Sequence, residues 1–204
     1  DLSNDPTNLP LRASLRSQAT TLASTFNRLN KSMNDLKQSV NEDISTEVAN
    51  INSMGERLVK LNSQIKAFVF RGEQPNDLLD ERDQLLEDLS KKIDFSLIDK
   101  GDGQVNVHMS GTLFVDELGV HDIQAKPKLG DTLGLVDVVW KETGNSVGIQ
   151  SGALKGLLDS RDEIIPGFID SLNEMATGII DQVNSIHSNG SGLDGTTKIT
   201  GALP

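Results

Sequence analysis

Cysteine and tyrosine are absent from this chain of 204 residues, and its aromatic side chains are six Phe and one Trp. Without Cys there is no disulfide, no thiolate metal site and no Cys nucleophile. The redox compartment stays open, since a chain without Cys suits any. The scarcity of rings removes the stacking platforms of single-strand nucleic-acid binders and leaves Leu, Ile and Val to build a core. Basic residues are also short, 19 against 30 acidic, for a formal charge of −11. That balance repels phosphate backbones and anionic membrane surfaces, so neither nucleic acid nor membrane is expected as a partner. No apolar run approaches the roughly 20 residues that span a bilayer, and the opening lacks a basic-then-apolar secretion signal. The chain starts at Asp1 rather than Met, and we expect an internal piece of a longer polypeptide.

Proline is missing from Leu11 to Arg71, and Gly55 is the lone glycine there. Through this stretch runs an apolar seam: Leu15, Leu22, Phe26, Leu29, Met33, Leu36, Val40, Ile44, Val48, Ile51, Met54, Leu58, Leu61, Ile65 and Phe68. After Leu22 every step is three or four, with consecutive fours through Val40, Ile44 and Val48, the stutter of a locally unwound coiled coil. Asp5-Pro6-Thr7-Asn8 supplies a cap, and Arg71-Gly72 supplies a closing cation and a C′ glycine. About 60 residues at ~1.5 Å each make a helix near 90 Å long.

Pro75-Asn76-Asp77 then opens a short amphipathic helix carrying Leu78, Leu79, Leu85, Leu86, Leu89 and Ile93. Past it the period drops to two, and strands are expected at Phe95 to Ile98, Val105 to Met109, Leu113 to Val115, His121 to Ala125 and Leu133 to Lys141. The helical period returns from Ser151 to Ile186 through Leu158, Ile165, Ile169, Leu172, Ala176, Ile179, Val183 and Ile186, with a kink or break expected at Pro166. We therefore expect a mainly α fold with an inserted β region (α+β): long coiled-coil-like helices packed as an elongated bundle, plus a small antiparallel β subdomain. The expected divisions are a rod domain of one long and one short helix (1–94), the β region (95–149), the returning rod helix (150–188) and a Gly/Ser-rich linker to a missing domain (189–204).

Catalytic signals are weak. His108, His121 and His187 lack any partner at metal-ligand spacing, no G-x-S-x-G elbow occurs, and Gly101-Asp102-Gly103 lacks the Lys and helix of a phosphate loop. We expect no enzyme, cofactor or metal. The informative local feature is an echo, Leu78-Leu79-Asp80-Glu81-Arg82-Asp83-Gln84-Leu85 against Leu157-Leu158-Asp159-Ser160-Arg161-Asp162-Glu163-Ile164. Each Arg falls at the edge of an apolar stripe, where an unpartnered guanidinium would be costly. Asp80, Asp83, Asp159 and Asp162 could be read as metal ligands. We read the six charged residues Asp80, Arg82, Asp83, Asp159, Arg161 and Asp162 instead as structural ion-pair motifs, each Arg bridging carboxylates and carbonyls to fix the register of two packed helices.

Several motifs in one order, Asp5-Pro6-Thr7-Asn8 with Leu11-Arg12, Ile51-Asn52, Leu61-Asn62-Ser63-Gln64-Ile65, both echoed segments, Ser151-Gly152-Ala153-Leu154, Val183-Asn184-Ser185-Ile186 and Gly192-Leu193-Asp194-Gly195, resemble the flagellar hook-associated protein 1 family (FlgK). The resemblance implies a non-catalytic axial subunit of the bacterial flagellum, at the junction of hook and filament. It implies export through the flagellar type III system without a cleaved signal peptide, and an extracellular location. It also implies four partners: the hook protein, the second hook-associated junction protein, copies of itself in a ring, and an export chaperone. Family members carry further helical termini and an outer domain, so the chain reads as a fragment, monomeric in dilute solution. Another flagellar axial protein, or an unrelated coiled-coil scaffold, is the competing reading. Glu42, Glu47 and Glu56 are expected on polar helix faces that meet neighbours.

Overall fold

The computed structural model describes residues 5, 7–131 and 133–189. Helix α1 runs over Leu9–Phe70, 62 residues. Asn8 caps it, its Oδ1 accepting the Leu11 N–H at 3.0 Å; Pro6 lies outside the described residues. The helix closes on Gly72, at φ 77°. There the Glu73 N–H reaches the Phe68 carbonyl at 3.1 Å and the Gly72 N–H reaches that of Val69 at 2.9 Å. These two bonds are a Schellman closure, which the positive φ of glycine permits.

The described residues fall into two compact units, 37–162 and a second made from residues up to 36 and from 163 onward. Neither boundary carries a linker composition, and one of them cuts through α1.

In the unit of residues 37–162, the core joins Ile44, Val48, Ile51, Leu58, Leu61 and Ile65 of α1 to Leu85, Leu86 and Leu89 of helix α2 (Asn76–Lys92). Strands β1 (Ser96–Asp99), β2 (Val105–Met109) and β3 (Thr112–Val115) form one antiparallel sheet, ordered β1-β2-β3. Strands β4 (Ile123–Pro127) and β5 (Val136–Trp140) form a separate antiparallel hairpin. The β region is thus two small sheets. The β2–β3 loop is Ser110-Gly111, both at positive φ (50° and 78°), a two-residue turn whose twist suits the strands. On β2, Val105, Val107 and Met109 face the core and the alternate residues do not, as a period of two requires.

Gly55 is buried on α1 because the Phe114 ring of β3 lies against it. A Cβ there would come within 2.9 Å of Phe114 Cζ and 3.1 Å of Val120 Cγ1. At the other side of the unit, helix α3 (Ala153–Asp159) starts at Gly152, where a Cβ would meet the Lys92 carbonyl carbon and oxygen at 2.5 Å. Asp94 seals that crossing, its Oδ1 accepting the N–H groups of Gln150 (2.8 Å) and Ser151 (3.1 Å). Lys92 pairs with Glu47 at 2.9 Å. Glu47 is therefore committed inside the unit, not on the polar, neighbour-facing surface expected of it.

In the second unit, helix α4 covers Ile165–Ser188. The break expected at Pro166 falls one turn earlier, as a π-helical turn over Ser160–Ile164, and Pro166 sits in the first turn of α4, where its missing N–H costs nothing. Several residues of the expected seams are exposed here: Leu15 (55%), Leu22 and Leu29 on α1, and Val183 and Ile186 (71%) on α4. Periodicity identifies the apolar face of a helix; it carries no information on whether anything covers that face.

Candidate functional site

The inward stripe of α1 is interrupted by three asparagines, Asn41, Asn52 and Asn62, and each docks the first residue of a strand. Asn62 gives its amide to the Val105 carbonyl (2.8 Å) and accepts the Val105 N–H (3.3 Å). Asn52 treats Ile123 the same way, at 2.8 and 3.1 Å. Asn41 donates to the Gly134 carbonyl at 3.2 Å and accepts the Val136 N–H at 2.9 Å. A carboxamide presents one acceptor and a pair of donors, so it can stand in for a neighbouring strand at a point where the sheet offers none. Three such contacts, about three helical turns apart, fasten β2, β4 and β5 to one helix.

Arg161 completes the last of them. It lies in the π-helical turn and is 1% exposed, the largest fully buried side chain among the described residues. Nη1 donates to the Val136 carbonyl at 2.6 Å and to Asn41 Oδ1 at 3.0 Å. Nε and Nη2 hold the two oxygens of Asp162 at 2.8 and 2.7 Å. The extra residue of a π turn shifts the side chains that follow it, and here it accompanies a guanidinium and its adjacent carboxylate meeting fork to fork. Arg161's hydrogen bonds hold the Asp162 carboxyl below the ordinary carboxylate range, with Lys128 and Lys37 adding to the pull.

Arg82, the counterpart in the first motif copy, is held otherwise. Its Nη1 donates to the Gly103 carbonyl at 2.8 Å. Its Nε is buried without an acceptor, and Asp83 stands 3.9 Å away, too far for a hydrogen bond. Asp80 has no hydrogen bond or ion pair among the described residues, and Asp159 pairs with Lys155 rather than Arg161. No bond links one motif to the other. Each Arg reaches backbone of the β region, Gly103 before β2 and Val136 at the start of β5, so the register they set is that of helix against strand, not helix against helix.

Sequence reading marked both arginines and missed the asparagines. The signal for them was present: a small amide recurring on the inward face, next to Val40, Ile51 and Leu61. Among the described residues no group of three or more His, Asp or Glu is placed to hold a metal ion, and no helix is long and apolar enough to cross a membrane. His121 stands between Asp116 (3.5 Å) and Glu142 (3.3 Å) at the surface of the β region.

Residues 1–200 match the family described as the flagellar hook-associated protein FlgK helical domain. The flagellar hook-associated protein 1 of Salmonella typhimurium is 29% identical over 160 residues, 74% of this chain and 29% of that protein. That of Bacillus subtilis is 29% identical over 119 residues, 58% of this chain and 24% of the relative. The solved structure of the flagellar hook junction protein FlgK from Burkholderia pseudomallei superposes with a TM-score of 0.80 at 25% identity, covering 96% of this chain and 37% of that one. The chain thus spans less than a third of the length of the curated relatives it matches. A long helix fastened to two small sheets by asparagine and arginine is the structure of these residues, and the chain belongs to the FlgK family of flagellar hook-associated proteins.

Proposed function

We propose that this chain is the helical part of a subunit that joins hook to filament in the bacterial flagellum. The family match over residues 1–200 carries the reading. The subunit works by rigidity rather than chemistry. Bending a 62-residue helix means stretching its backbone hydrogen bonds, and over residues 41 to 65 it would also pull strands off the three asparagines. A part built this way transmits torsion between a flexible hook and a stiff filament.

Its neighbours in this reading are the hook protein on one side, the second junction protein on the other, and copies of itself around a ring. An export chaperone holds it before secretion through the flagellar type III system. No catalytic step is assigned, and none is needed. The isolated chain is monomeric in dilute solution, with a single slow species expected in analytical ultracentrifugation. Glu42 and Glu56, exposed on α1, are the acidic positions whose reversal should impair swarming while leaving the fold intact.

The direct test is complementation. In a strain that secretes flagellin but cannot retain it, the intact gene should restore attached filaments. Continued shedding of flagellin into the medium, with the protein expressed and exported, would refute the junction role.

A further inference from the structure

The two small sheets of the β region are separate, and one side chain faces an end of each. His121 lies in the stretch that leads from β3 to β4, and its backbone N–H donates to the Phe114 carbonyl of β3 at 2.8 Å. Its ring has a carboxylate on either side. Nε2 stands 3.5 Å from Asp116 Oδ2, in the turn after β3, and Nδ1 stands 3.3 Å from Glu142 Oε1, just past the end of β5. Asp116 is the fixed member of the pair. Its side chain is 13% exposed, and its Oδ1 accepts the N–H groups of Leu118 (2.8 Å) and Gly119 (3.0 Å), which leaves Oδ2 to face the ring. Burial pushes that carboxyl up, but the two backbone N–H groups and His121 outweigh it and hold it below the ordinary carboxylate range, so it is an anion wherever imidazole titrates. Glu142, 66% exposed, is the looser member.

The adjacent charges, Lys141 and Asp122, pair with each other at 2.8 Å. Helix α1 meets the flanking residues with Gly55, under Val120, and with Asn52, which holds Ile123, and neither titrates. His121, Asp116 and Glu142 are not placed to hold a metal ion. What remains is a ring between two anions. An imidazolium carries an N–H on both nitrogens, whereas a neutral ring carries one and offers a lone pair at the other. Both carboxylates are therefore served only by the charged ring. On loss of the proton one nitrogen turns a lone pair toward an anion, and the exposed Glu142 is the one free to swing into water. We propose that His121 is a pH-responsive clasp between the two sheets, closed on Asp116 and Glu142 while its ring is charged and open at the Glu142 side once the ring is neutral. Histidine changes charge between about pH 5 and 8, so the clasp is closed at the acid end of that range and opens toward the alkaline end. Every group involved belongs to the unit of residues 37–162, and the clasp is independent of the junction role.

The test is amide hydrogen exchange of the intact natural polypeptide, read by mass spectrometry at about pH 5.5 and about pH 8.5, either side of the histidine range, with each rate corrected for its intrinsic value at that pH. Peptides covering 116–122 and 140–146 should lose roughly threefold in protection at the alkaline pH, while peptides from β2 keep theirs. His121→Gln is neutral at both pH values and should abolish the difference. Glu142→Gln, a change on an exposed side chain, should abolish it at 140–146. No loss of protection in the natural protein overturns the clasp. So does a loss that persists in His121→Gln, or one of equal size in β2, which marks general loosening of the region. A loss at 140–146 that persists in Glu142→Gln overturns that carboxylate as the partner released.

Discussion

Two segments of nearly the same sequence, 78–85 and 157–164, end in opposite conditions. In the second, a π-helical turn accompanies Arg161 meeting Asp162 in bidentate fashion, and the same guanidinium ties Asn41 to β5. In the first, α2 stays regular, Asp83 remains 71% exposed, and Arg82 holds a single carbonyl. The motif fixes that a cation lies at the edge of an apolar stripe. What surrounds that edge decides whether the cation fastens the core through four hydrogen bonds or through one.

The sharpest way to break this contrast is to remove each arginine. Arg161→Ala leaves the Val136 carbonyl and Asn41 short of a donor and opens a void, for an expected loss of about 3 kcal/mol in urea unfolding. Asn41→Ala strips two backbone contacts and one guanidinium acceptor and should cost about 2 kcal/mol. Arg82→Ala removes one hydrogen bond and a partly exposed cation, and its unfolding free energy should fall by about 1 kcal/mol. If the two arginine variants lose the same stability, the contrast drawn from their partners is wrong.

A smaller effect separates the sites by pH. The Asp162 carboxyl titrates lower in the folded chain than in the unfolded one, because Arg161 holds its charged form. The unfolded state therefore takes up the proton first as pH falls. The stabilisation is whole above the ordinary carboxylate value of about 3.9 and drains away as pH drops through the lower folded value. Asp162→Asn should flatten the acid limb of the stability curve, which denaturation at a series of pH values between neutral and strongly acid would show.

Much of the fold was legible in the residues. A proline-free run with steps of three and four announces α1, Arg71-Gly72 announces its closure, and the change of period at Phe95 announces strands whose observed bounds differ by a few residues at their ends. The seam was legible only in part, because Leu15, Leu22 and Leu29 share the period of Ile44 and Val48 yet are exposed. The π-helical turn was not legible, since Pro166 drew attention to itself one turn too late. Glu47 looked like a surface charge until Lys92 met it across the unit.

By itself the sequence determined which faces are apolar, where helix gives way to strand, that thiol chemistry is absent, and that two arginines sit at buried edges. These are local properties, set by spacing and side-chain chemistry along a few turns. Tertiary structure alone decided that Asn41, Asn52 and Asn62 act as strand partners, that Gly55 and Gly152 are sites of close approach, and that Arg161 donates four hydrogen bonds while Arg82 donates one. Each of these depends on residues 21 to 120 positions away arriving within about 3 Å, and hydrogen-bond satisfaction is a property of what arrives, not of the residue that waits.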